Sequence, residues 1–194
     1  LDLLVFGRAA GNHIVEACKR ADRAHKPLPR DAADLTLARL ARLDASTGGE
    51  YAQDVANDLR ATMQQHAGVF RTQASMDQGV AKVAALRERV AAITLADKSQ
   101  VFNTARVEAI EVENLIEAAQ ATMVSAAARR ECRGAHTVKD HERGADDPDC
   151  PLGRNDRDWM KHTLWYAEGS RLAYKPVQLK PLTVESVPPR VRTF

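Results

Sequence analysis

Four side chains late in the chain have the chemical types that hold soft metals. Cys132, His136, His141 and Cys150 are spaced C-x3-H-x4-H-x8-C. Zinc takes such Cys/His sets, but its usual sites contain a tight C-x2-C or H-x3-H pair that presets two ligands on one turn. Neither cysteine has a close cysteine partner here, and the sequence around them is rich in Asp and Arg. The reading favoured is unligated side chains and no metal site. Cys132 and His136, four apart, also have the spacing of a nucleophile and its base if they lie on the frayed end of a helix, where cationic neighbours favour a thiolate. The plainer reading, which we prefer, is that Cys132 replaces a small polar residue in a structural turn.

The third constellation is cationic: Arg129, Arg130 and Arg133 with Glu131 and His136. Guanidinium groups grip carboxylates through two parallel bonds, so the cluster suits either an internal salt-bridge network at a helix end or an acidic substrate or partner surface. Both remain open on the residues alone, with the internal network ahead. No G-x-G-x-x-G, P-loop or G-x-S-x-G occurs, and Gly7 and Gly11 have the wrong spacing for a dinucleotide fingerprint. No complete active site is present, and no residue is assigned a catalytic, cofactor-binding or metal-binding role.

The elements that must position these groups are mostly helices. Apolar residues make up 44% of the 194, aromatics only 5%, and much of the apolar share is alanine, the best helix former. A net charge of +2 without a Lys/Arg block gives no ground for a nucleic-acid partner. No run of about 18 apolar residues is present to span a bilayer. Three widely spaced cysteines read as reduced thiols.

Helical spacing predicts a first helix over residues 1–21, with Leu4, Ala9, Ala10, Ile14 and Cys18 on one face, ended by the Lys26-Pro27 step. A second is expected over 32–43, with Leu37, Leu40 and Ala41 inward. A third covers 50–66, with Tyr51, Val55, Leu59 and Met63 in a stripe. A fourth covers 75–93, its seam being Met76, Val80, Val83, Val90 and Ile93. The fifth, over 104–130, buries Val112, Leu115, Ile116, Ala119 and Met123, has glutamates early and arginines at its end, and stops at Gly134. Two aromatic-bearing runs, 159–166 and 171–177, flank Glu168-Gly169-Ser170 and predict a β-hairpin. The tail from 181 contains Pro188-Pro189 and is expected to be extended. The fold class is therefore mainly α: a bundle of three to four helices, preceded by one helix of another domain and followed by a small β-hairpin module.

Several stretches carry a family resemblance. The run R-R-E-C-R-G-A-H over 129–136, reached from N-T-A-R-V-E over 103–108, resembles the R-x-E-S-R-G-A-H signature of succinate dehydrogenase and fumarate reductase flavoproteins. Cys132 departs from the usual serine, a small-for-small change that weakens both the zinc and the thiol readings. L-D-L-L-V-F-G-R-A-A-G over 1–11 is similar to the helix that follows the family's last flavin contacts. M-Q-Q-H-A-G-V-F-R over 63–71 looks like a turn between bundle helices, and N-D-R-D-W-M-K-H-T-L over 155–164 like the segment leading into the hairpin. The ending V-P-P-R-V-R-T-F over 187–194 resembles the Pro-Pro-x-x-Arg-x-Tyr/Phe tail of the dehydrogenases.

The resemblance implies a parent subunit that holds covalent FAD, oxidises succinate to fumarate, and passes electrons to an iron–sulfur subunit and on to quinone. It would sit at the cytoplasmic face of a bacterial inner membrane through membrane anchor subunits. The family's flavin-linking, proton-shuttling and substrate-binding residues match nothing here; Leu1 falls just past the expected Ser-Leu flavin contact. The chain is accordingly expected to be a C-terminal fragment: 1–24 the last helix of the FAD-binding domain, 31–135 the helical bundle, 136–194 a C-terminal extension. Arg129, Arg130, Glu131, Arg133 and His136 become structural or interface residues under this reading. Fumarate reductase is the runner-up, L-aspartate oxidase is further off, and a free-standing helical interaction module is the rival from outside enzymology.

Overall fold

The computed structural model describes residues 1–20, 27–180, 183 and 185–190, with the side chain of residue 20 left out. The chain divides into two compact units, residues 1–38 and 39–194.

The first unit contains helix α1 (Asp2–Arg20), opened by Asp2, whose charge complements the helix dipole. Its apolar stripe is uncovered among the described residues: Leu4 is 75% exposed, and Ile14 and Cys18 are exposed as well. The expected end at Ala21 and the Lys26 half of the proline step lie outside the described residues. Helix α2 (Asp34–Ala45) runs across the division between the units. Here the predicted inward set is corrected. Leu37 and Ala41 are exposed, Leu40 is half-buried, and Leu43 is the residue fully enclosed. Arg39 and Arg42 are both held by Glu113, which turns the Leu40–Leu43 face, an i, i+3 pair, toward the core and Ala41 away from it.

The second unit is built around helices α3 (Ala52–His66), α4 (Gln73–Ala91) and α5 (Thr104–Ala128). Val55 and Leu59 from α3, Met76, Val83, Leu86 and Val90 from α4, and Ala109, Val112, Ile116 and Met123 from α5 form the core, with Leu43, Ile93, Leu95 and Val138 closing it. Each large side chain buried this way contributes about 1.5–3 kcal/mol. The helices meet closely at Gly79, where a Cβ would stand 2.6 Å from His66 Cβ and 3.0 Å from the Met123 thioether. Only hydrogen fits there.

Two stripe residues move out. Tyr51 is the extended N-cap of α3, so its ring leaves the helix face. Leu115 is 46% exposed because Ile116 takes the inward position. Asn103 caps α5 by accepting from Arg106 N–H at 2.9 Å. The helix ends at Ala128, two residues early, because Arg129 turns extended; Gly134 (φ 59) serves a later turn instead of the helix stop.

The hairpin forms as expected. Strands β1 (Lys161–Tyr166) and β2 (Arg171–Pro176) pair antiparallel, from Lys161 opposite Pro176 to Tyr166 opposite Arg171. Trp159 is not in the strand but ends a single helical turn, α6 (Asp156–Trp159), capped by Asn155. No helix among the described residues is long and apolar enough to cross a membrane. Part of the tail, including 191–194 and hence the end of the Pro-Pro motif, lies outside the described residues.

Candidate functional site

Where α5 stops, the chain reverses through residues 129–138 and returns beneath the hairpin. Glu131 is the centre of this reversal and is fully buried. A buried carboxylate must be paired or its desolvation destabilises the fold by several kcal/mol. Four donors meet it. Arg129 Nη1 donates to Oε1 at 2.5 Å, and Arg133 Nε donates to the same oxygen at 2.8 Å. Arg133 Nη2 reaches Oε2 at 3.0 Å, and the Asn155 main-chain N–H completes the set at 2.9 Å. Residues two and twenty-four apart in sequence thus share one carboxylate.

Arg129 extends the network to the hairpin. Its guanidinium donates to the carbonyls of Trp159 (3.2 Å) and Lys161 (2.6 Å) and to Thr163 Oγ1 (3.2 Å), and lies 5.2 Å from the Trp159 ring centre. Arg133 Nη2 also donates to Asp156 at 2.6 Å, and Arg154 grips the same carboxylate bidentately. Arg154, then Arg133, hold the Asp156 carboxyl below the usual aspartate range.

His136 has other partners. Its Nδ1 lies 2.9 Å from Arg71 Nη1, and its Nε2 lies 3.2 Å from the Arg129 carbonyl. A guanidinium can only donate, so Nδ1 is an acceptor and the imidazole is neutral with its proton on Nε2. Burial is the main cause that keeps its pKa below the ordinary histidine value, and the charges of Arg71 and Arg129 push the same way. Arg71 in turn donates to the Ala67 and Gly68 carbonyls, closing the end of α3, and its own carbonyl accepts from Lys139 N–H.

The residues singled out by type fall into two groups. Arg129, Glu131, Arg133 and His136 come together; Arg130 is exposed and makes no hydrogen bond or ion pair among the described residues. The nucleophile–base pair does not form: Cys132 Sγ is buried against the Val138 main chain, 3.3 Å from N and 3.4 Å from O, while His136 is taken by the arginines. Of the Cys/His set, His141 lies in a single 3-10 turn (Lys139–His141) and Cys150 precedes another, Pro151–Gly153. Among the described residues no group of three or more His, Cys, Asp and Glu side chains is placed to hold a metal ion. Gly153 explains why Cys132 is small. With φ 79, a Cβ there would stand 2.2 Å from the His141 carbonyl and 3.0 Å from Cys132 Sγ.

Sequence reasoning missed Arg71, Arg154 and Asp156 as members of the site. Arg71 is 65 positions from His136, and no local spacing signals such a contact. It also missed Lys161, whose ammonium lies 4.6 Å from the Trp159 ring and 4.4 Å from the Tyr174 ring. Between α5 and β1 these groups border an open cleft of about 500 Å3, lined by Arg129, Arg133, His136, Trp159 and Lys161 among others. Most of its guanidinium donors are already engaged by carboxylates and carbonyls, and among the described residues that line it no hydroxyl is hydrogen-bonded to an imidazole. The arrangement is equipped to lock three segments together and leaves its residual positive charge facing the cleft.

Comparison with known proteins gives a consistent result. A family model described as fumarate reductase flavoprotein C-term matches residues 56–194. The chain is 38% identical over 192 residues to the succinate dehydrogenase flavoprotein subunit of Coxiella burnetii, covering 99% of this chain and 31% of that protein. It is 32% identical to the fumarate reductase flavoprotein subunit of Haemophilus influenzae, over 92% of this chain and 28% of that one. A solved E. coli quinol fumarate reductase superposes with a TM-score of 0.73 at 31% identity, over 96% of this chain and 31% of that chain. The chain therefore spans about a third of the length of the relatives it matches.

Proposed function

Because this chain belongs to the succinate dehydrogenase and fumarate reductase flavoprotein family, we propose that it supplies the helical bundle and C-terminal module of a succinate dehydrogenase flavoprotein subunit. In this reading the parent subunit oxidises succinate to fumarate with FAD and hands the electrons to an iron–sulfur subunit and, through it, to quinone. It is held at the cytoplasmic face of the inner membrane by partner subunits. Residues 1–24 belong to the last helix of the FAD-binding domain, 31–135 to the bundle and 136–194 to the extension. The uncovered apolar face of α1 supports the first of these assignments.

The observation that carries the scaffold role is the fully buried Glu131, shared by Arg129, Arg133 and the Asn155 main chain. The signature cluster is internally committed, so Arg129, Glu131, Arg133 and His136 act as a structural clasp and catalysis resides elsewhere in the parent. The engagement of Arg129 and Arg133 by Glu131, Asp156 and main-chain carbonyls supports reading the flavin as held elsewhere in the parent. In this reading FAD is a property of the parent subunit.

The Pro188-Pro189 tail supports the dehydrogenase direction, and likeness to fumarate reductases supports the reverse reaction as the second reading. Two measurements test the proposal. The purified chain alone is expected to carry no stoichiometric flavin absorbance. In the assembled complex, Glu131→Gln is expected to lower the yield of folded subunit while turnover per bound flavin and the KM for succinate stay unchanged. Flavin on the isolated chain, or a rise in KM at constant flavin content, overturns it. A complex that reduces fumarate much faster than it oxidises succinate selects the second reading.

A further inference from the structure

The cleft between α5 and β1 is chemically one-sided. Arg129, Arg133 and Lys161 border it, and no Asp or Glu is among the described residues that line it. The single carboxylate that the two guanidinium groups share, Glu131, is fully buried and faces away from solvent. Lys161 Nζ has aromatic faces beside it but no hydrogen bond or ion pair among the described residues.

A second, independent observation lies in the strand. Val177 N–H donates to the Met160 carbonyl, and His162 and Leu164 pair with Lys175 and Ala173. Main-chain groups of alternate residues turn to the same side of an antiparallel strand. Those of 160, 162 and 164 therefore face β2, and those of Lys161, Thr163 and Trp165 face the other way. Arg129 agrees with this geometry, since its Nη2 meets the Lys161 carbonyl from the α5 side at 2.6 Å. The outward main-chain groups of Thr163 and Trp165 have no hydrogen-bond partner among the described residues. A row of unpaired strand groups is a template for another strand.

We propose that the β1 edge and the cationic cleft are one docking site, and that its occupant is an extended acidic segment of a partner polypeptide. The segment adds as a third strand beside Thr163 and Trp165 and sets a carboxylate against Lys161. Ala126, Met160 and Val177 receive an apolar neighbour of that carboxylate. Main-chain pairing supplies affinity and the charges supply selection. A second copy of this chain is disfavoured, because pairing two β1 edges brings one cationic cleft beside another. A nucleic-acid strand has the charge but lacks the main-chain groups that the edge pairs with. The inference does not rest on the proposed activity of the parent.

The test uses the full 194-residue chain, isotope-labelled, titrated with an acetylated, amidated heptapeptide of alternating Asp and Val. The probe is expected to shift the Thr163 and Trp165 amide signals and slow their hydrogen exchange. A version with Asn for Asp is expected to bind at least about tenfold more weakly. Lys161→Gln is expected to reduce the preference for the acidic probe and Lys161→Glu to abolish it; exchange on the unmutated chain reads the site even if a variant fails to fold. Equal binding of the Asn peptide, shifts confined to other surfaces, or no saturation at millimolar probe overturns the proposal. So does protection of both amides in the free chain, which shows the edge already covered by the chain's own tail or a second copy.

Discussion

At the scale of single residues, Glu131 is where the fold is most exposed to substitution. Glu131→Ala leaves Arg129 facing a void with no counter-charge and Arg133 with Asp156 alone, a change expected to destabilise the second unit by about 3–5 kcal/mol, read from urea denaturation. A change like that of a typical surface substitution refutes the buried-pair account. His136 carries the pH prediction. Its folded pKa lies below the ordinary value, so the unfolded chain binds the extra proton first. The stability that neutral His136 contributes is therefore fully present above about pH 6.5 and is lost as pH falls from there through the depressed folded value. An NMR titration of the His136 ring is expected to show a midpoint below that of free histidine, and a midpoint at or above it removes the Arg71 contact as the cause. Arg130 explains a limit of reading by type. It sits in the same motif as Arg129 and Arg133 and has the same chemistry, yet it is exposed. Alternation along the extended stretch after α5 points one arginine inward and the next outward, whereas helical spacing predicts helix through Arg130.

Among the elements, what was legible followed periodicity. The α3, α4 and α5 stripes and the hairpin around Glu168-Gly169-Ser170 declare themselves because 3.6-residue and two-residue repeats mark helices and strands. Less legible was anything set by partners far along the chain. Leu43 replaces Leu37 and Ala41 in the core because Glu113, some seventy positions away, holds Arg39 and Arg42. The clasp was half visible: Arg129, Glu131, Arg133 and His136 cluster in sequence, whereas Arg71 and Asp156 arrive from other elements. Gly79 was silent too, since a glycine in a helix gives no sign of how closely a neighbour approaches. Gly79→Val drives a branched side chain into His66 and Met123 and is expected to lower stability by about 1–3 kcal/mol or more, measured as a drop in Tm. An unchanged Tm means α3 and α5 do not lie that close.

For the whole molecule, the division at residue 38 has a direct consequence. Among the described residues no buried apolar core residue precedes Leu43, so deleting residues 1–30 is expected to change the unfolding free energy of the remainder by no more than about 1 kcal/mol, checked by denaturant titration of both chains. A larger loss means the first unit contributes to the core. The three cysteines then form a built-in stopwatch. Cys18 is exposed, Cys150 partly covered and Cys132 buried with its sulfur wedged between Val138 and Gly153. An alkylating reagent is expected to mark Cys18 at the rate of a free thiol, whereas Cys132 reacts only when the turn over it lifts. Mass spectrometry of the labelled peptides would thus time the transient opening of the clasp in the native protein, with no mutation and no probe other than the sulfur already there.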